Sequence, residues 1–101
     1  MKKLAAISLL ACASVGLPHA DATDARRAGV DLATLEHGRQ TYAARCSGCH
    51  ALHRPNELTP EQWSKRIHEM SKDARLQPGE EQLIANYLVT LSLRSQGAGG
   101  Q

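Results

Sequence analysis

Phenylalanine is absent from this chain of 101 residues and 10.9 kDa, and its aromatic side chains are Tyr42, Trp63 and Tyr87. The length leaves room for one small domain. With so little bulky side chain for a core, such a domain leans on a disulfide, a metal or another embedded centre, so an internal cofactor is expected. A long apolar run is also missing. A spanning helix needs about 20 predominantly apolar residues, whereas the longest run here, Leu4 to Leu17, is shorter and includes Ser8, Cys12, Ser14 and Gly16. No membrane span is expected. Charge of one sign is lacking too. The formal charge is +2, and without residues 1–20, which hold Lys2, Lys3 and no acid, Lys plus Arg equals Asp plus Glu. That balance argues against a nucleic-acid binder, whose affinity rests on a basic face. Arg39, Arg45, Arg54, Lys65, Arg66, Lys72 and Arg75 crowd the middle of the chain while Asp21, Asp24 and Asp31 come early, which reads as a solvated mixed surface.

What is present begins with a leader. Met1-Lys2-Lys3 and the apolar run from Leu4 to Ala13 form the charged and hydrophobic regions of a secretory signal peptide over residues 1–20. Cleavage is expected after Ala20 or, by the small residues at both ends of Ala20-Asp21-Ala22, after Ala22. A rival reading takes Leu9-Leu10-Ala11-Cys12 as a lipoprotein box with a lipid anchor on Cys12. Leu10 fits that box poorly, and hydrophobicity continues to Val15 and Leu17. The two readings predict different N-termini.

Without Cys12, the cysteines left are in Cys46-Ser47-Gly48-Cys49-His50. A disulfide between Cys46 and Cys49 closes a tiny loop and stabilises little. A redox dithiol belongs in a thioredoxin-like βαβ context, and no β-rich run exists here. A zinc site could use both cysteines with two of His50, His53 and His68, but it gives no reason for His to follow Cys49 directly. Covalent haem does: two thiols three positions apart reach two vinyl groups of the porphyrin, and the adjacent His lies beneath the iron. The pentapeptide in an exported chain therefore points to haem c and iron, with Cys46 and Cys49 as thioether attachments and His50 as an axial ligand.

Three patterns together give a family resemblance. They are Gly38, Tyr42 and Cys46 at intervals of four; Met70 with Ala74 and Leu76 after it, followed by Ile84-Ala85-Asn86-Tyr87-Leu88; and the pentapeptide itself. Over residues 32–92 the chain resembles a small single-haem class I cytochrome c. The resemblance implies an all-α cytochrome c fold, with three main helices wrapped around one covalent haem, and a distal ligand at Met70.

Read residue by residue, positions 21–30 carry no periodicity and are expected as a flexible arm, with the domain at 31–93. A first helix is predicted from Asp31 to Cys46, capped by Asp31, with Leu32, Leu35 and Tyr42 on one side. Gly38 inside it costs about 1 kcal/mol relative to Ala, which a close helix crossing explains; Tyr87 is its expected partner. Thr59-Pro60-Glu61-Gln62 starts the second helix with a capping box and places Trp63, Ile67, Met70 and Ala74 on one apolar face. The third begins near Pro78, with Glu80 and Glu81 in its first turn and a stripe of Leu83, Ile84, Tyr87, Leu88 and Leu91. The end, residues 94–101, has nothing to bury and is expected as a disordered tail.

His68 is two positions from Met70 and so about 200° around the helix, on the solvent side, which favours Met70 over His68 as the distal ligand; that Met70 ligates rather than only fills the core is what the resemblance implies. Leu52 to Thr59 in extended form spans about 26 Å, enough to pass the haem edge without slack. His53 is too close to His50 to cross the haem plane. Leu52, Pro55 and Leu58 are expected at the haem edge, with Arg54 either a propionate partner or simply solvated.

No nucleophile, base or oxyanion arrangement is present, so the chain reads as an electron carrier rather than an enzyme. It is expected in the periplasm, cycling Fe(II)/Fe(III) between transient redox partner proteins that dock near Cys46 and Cys49. The other readings are a haem protein whose open or displaceable distal site takes a small gas ligand or oxidant, and an electron-transfer subunit of a dehydrogenase.

Overall fold

The computed structural model describes residues 16–46 and 52–98, with side chains as far as residue 94. Four α-helices follow in order: α1 (Ala22–Ala28), α2 (Leu32–Cys46), α3 (Pro60–Met70) and α4 (Glu80–Ala98), with a 3₁₀ turn at Pro55–Glu57 before α3. There is no strand among the described residues, so the fold is all-α, as the periodicities require. The expected signal peptide overlaps the described residues only at 16–20; Cys12 lies outside them.

Each helix end has a local cause. Thr59 accepts from the Gln62 amide at 3.1 Å and Gln62 Oε1 accepts from the Thr59 amide at 2.9 Å, the reciprocal capping box that the sequence advertised. Asp31 takes the first backbone bonds of α2 on its carbonyl, from Thr34 and Leu35. α1 stands where a flexible arm was expected. Asp21 Oδ1 accepts from the Asp24 amide at 2.9 Å and Asp24 Oδ2 from the Asp21 amide at 2.8 Å, a capping box made of two aspartates. Gly29, in the left-handed region at φ 68°, closes the other end; its amide bonds to Ala25 and Arg26 and that of Val30 to Ala25, a Schellman arrangement that a side chain would strain. The second departure is at the C-terminal end. α4 continues to Ala98 through residues expected to be disordered, and Arg94 holds it to α1 through Asp24.

The core lies where α2 and α3 pack on α4. Leu35, Tyr42, Trp63, Ile67, Ile84, Tyr87, Leu88 and Leu91 are buried, whereas Leu32, expected on the inner side, is exposed at the first position of α2. Gly38 sits at the closest approach of α2 and α4. A Cβ there would lie 2.2 Å from the Leu83 carbonyl oxygen and 2.9 Å from Tyr87 Cβ. The absent side chain is what allows the backbones to touch, and Tyr87 is the partner that the sequence named.

Candidate functional site

One and two turns beyond Gly38, the same stripe of α2 carries Tyr42 and Cys46 to a cavity of about 290 Å³. Its walls are Tyr42, Cys46 and Leu52 on one side and Trp63, Met70 and Ala74 on the other, with Arg45, His53, Arg66 and Asp73 supplying polar groups. A smaller recess continues from it between Ile67, Leu76, Ile84 and Leu88, again touching Tyr42, Cys46, Met70 and Ala74. Together they form one largely apolar crevice between the end of α2, the end of α3 and the flank of α4.

The walls are fixed by buried and part-buried hydrogen bonds. The Tyr42 hydroxyl donates to the His53 carbonyl at 2.7 Å and accepts from the His53 amide at 3.0 Å, joining the chain before and after the pentapeptide. Burial pushes the Tyr42 phenol up, so it stays a neutral donor. Trp63 Nε1 donates to the Pro55 carbonyl at 2.7 Å, and its ring meets Tyr42 edge to face with centroids 6.1 Å apart.

Among the expected site residues, Cys46 and Met70 line the same crevice, while Cys49 and His50 lie outside the described residues. Met70 is half-buried at the last position of α3. His68 is on the opposite side of that helix, its side chain 82% exposed and its Nδ1 3.2 Å from Glu81 Oε2. That exposure removes His68 from a zinc set with Cys46 as well. Among the described residues, no group of three His, Cys, Asp or Glu side chains could hold a metal ion. His53 does line the cavity, with Nδ1 2.7 Å from Glu57 Oε1.

Two expectations about the rim are corrected. In the full chain Arg54 does not line the cavity: its Nη1 donates to the Gly16 carbonyl at 2.8 Å and its amide to Glu57 Oε2 at 3.0 Å. Of Leu52, Pro55 and Leu58, only Leu52 lines the cavity; Pro55 is buried under Trp63, and Leu58 packs on the core. The cations that do line it are Arg45, held by Glu80 at 2.9 and 3.0 Å, and Arg66, which has no ion-pair partner among the described residues. Arg66 precedes Met70 by one helical turn, and that spacing alone could have placed it on the crevice face.

An all-helical chain in which one cysteine of a Cys-x-x-Cys-His sequence and a downstream methionine share an apolar crevice is a c-type cytochrome. The family model described as Dihaem cytochrome c matches residues 42–101, and the chain belongs to that family. Haem c and iron follow from membership. The expected class I, single-haem kind is met only at this coarser level, since the family's description speaks of two haems and the sequence holds one pentapeptide, at residues 46–50. No curated protein and no solved structure matches the chain. Among the described residues, no helix is long and apolar enough to cross a membrane.

Proposed function

We propose that this chain carries a single haem c, attached through Cys46 and Cys49, with His50 and Met70 as axial ligands, and that it passes single electrons between redox partner proteins in the periplasm. The observation that carries this reading is the crevice itself, where Cys46 and Met70 meet across apolar walls and His68 is turned away. The chemistry of the donor set fits: a thiol for a thioether bond, a thioether sulfur for soft iron, and an adjacent ring nitrogen. The single-haem part of this reading is supported by the one Cys-x-x-Cys-His pentapeptide in this sequence.

The bound group supplies a reversible Fe(II)/Fe(III) couple. The residues supply its surroundings. Trp63, Ile67, Ile84 and Leu88 keep water from the inner wall, and a thioether ligand in a low-polarity pocket favours the reduced state. Arg66 and Arg45 offer guanidinium groups to propionates at the rim.

Optical spectroscopy of the purified protein tests the assignment. Oxidised protein should show the weak far-red band of sulfur-to-iron charge transfer, and reduced protein should resist carbon monoxide. Met70→Ala should abolish both properties and lower the potential, while His68→Ala should leave the spectrum intact. Ready binding of carbon monoxide by the unaltered protein would sink the carrier reading in favour of a ligand-binding haem.

A further inference from the structure

Residues 17–20 were read above as the end of a removable leader, yet they are built into the fold. Leu17 is 7% exposed and belongs to the core cluster with Tyr42 and Tyr87. The Tyr87 ring is fully buried, and its hydroxyl donates to the Pro18 carbonyl at 2.6 Å. Arg94 Nη2 donates to the His19 carbonyl at 2.8 Å and to Asp24 Oδ2 at 2.5 Å, tying this segment and α1 to α4 together. Ala20 packs against the core, and Asp21 begins the capping box of α1. Residues 17–24 thus form a strap across α4, held at Leu17, Pro18, His19 and Asp24.

Cutting after Ala20 would delete Leu17 and both carbonyl acceptors and strip the partner from a buried phenol, a costly loss. Cutting after Ala22 would also remove the Asp21 cap. Translocated chain is cut before it folds, so the fold does not shield these bonds; it shows which contacts each cut would remove. Upstream, Ser14-Val15-Gly16 has small residues at its first and third positions. A cut there gives a leader with Lys2 and Lys3 in front and a ten-residue apolar run, residues 4–13, inside the usual range of about 7 to 15. Ala11-Cys12-Ala13 has the same pattern, but a leader ending there falls below the usual minimum of about 15 residues. Among the described residues, the hydrogen bond that a cut after Gly16 removes is the exposed one from Arg54 to the Gly16 carbonyl.

We propose that the export peptidase hydrolyses the Gly16–Leu17 bond, so that the mature protein begins at Leu17 and keeps the strap. Water is consumed, Gly16 leaves as a carboxylate, and Leu17 becomes the α-ammonium terminus. The proposal rests on the export reading above. The full chain, expressed in a bacterium that attaches haem c, is tested by intact mass and N-terminal sequencing of the periplasmic protein. The expected result is a start at Leu17. A start at Asp21 or Thr23 overturns this proposal and leaves export standing, whereas a retained Met1 overturns both. A second comparison places a foreign leader directly before Leu17 or before Asp21. The Leu17 form should melt several degrees higher, and Tyr87→Phe should lower its Tm while leaving the Asp21 form unchanged. Equal melting of the two forms would show that the strap contributes nothing and overturn the proposal.

Discussion

Gly38, Tyr42 and Cys46 lie on one stripe of α2, and the two ends of that stripe do opposite things. At Gly38 the backbones of α2 and α4 meet, with no space for even one methyl group. At Tyr42 and Cys46 the stripe faces a cavity of about 290 Å³ and the recess beside it. The closed end is made of polypeptide alone, through Leu35, Tyr87 and Leu91, all buried. The open end presents walls with space between them, as a site built to enclose a prosthetic group does. On the proposed reading, this small domain completes one half of its core with polypeptide and the other around its haem, which would answer the shortage of aromatic side chains.

The strongest way to break the comparison is at the open end. With Cys46→Ser and Cys49→Ser together, intact mass should fall by one haem, no pigment should survive acid acetone, and the crevice side should become protease-sensitive first. Equal protection of both halves in that variant would mean that the open end does not depend on its cofactor. A smaller effect is expected at the closed end. Gly38→Val forces a side chain into the crossing and should destabilise the protein by about 1 to 3 kcal/mol, read as a lower denaturant midpoint with haem still attached. An unchanged midpoint would show that the helices do not meet there.

The smallest effect sharpens the picture on the outer flank of the closed end. The Arg39 guanidinium beside Glu36 lowers its carboxyl from 4.5 to about 2, despite an opposing push from burial. A depressed native pKa means stability that is fully present above pH 4.5 and is lost as pH falls toward about 2. Glu36→Gln should flatten the acid limb of the stability profile across that window. At neutral pH it should cost on the order of 1 kcal/mol, because Glu36 is partly solvated and Gln can still accept a hydrogen bond from the buried Arg39 guanidinium. A profile of unchanged slope would assign the acid limb to other carboxylates, Asp24 first, where hydrogen bonds from Arg94 and the Asp21 amide outweigh burial and hold the carboxyl low.

The sequence displayed the features whose cause is local. Gly38 inside a helix asked for a crossing partner, Thr59 to Gln62 spelled out a cap, and the steps from Trp63 to Met70 separated Met70 from His68. What it hid depends on contacts made far along the chain. α1 has no apolar stripe, and it exists because its caps close and because Arg94, seventy positions on, reaches Asp24. Even so, Asp21 and Asp24 at cap spacing were visible beforehand. Leu17 to Ala20 look like leader by composition, and only their packing tells otherwise. Arg54 and Arg66 are alike in type; in the full chain the 2.8 Å bond to Gly16 holds the first away from the cavity, a hold that a cut after Gly16 would release, and helix phase turns the second toward it.

The two bonds between Tyr42 and His53 bear on the order of assembly. By gripping both the amide and the carbonyl of one residue, the phenol ties positions 42 and 53 together, so the chain between them is a ring knotted by the protein itself. Since α2 runs to Cys46, the span that this tie closes is residues 47–52, and the closure entropy, of order (3/2)RT ln n, is met within the polypeptide. On the proposed reading, the attachment sequence thus has both flanks, the end of α2 and residue 53, tied to each other by the polypeptide before any covalent bond to haem forms.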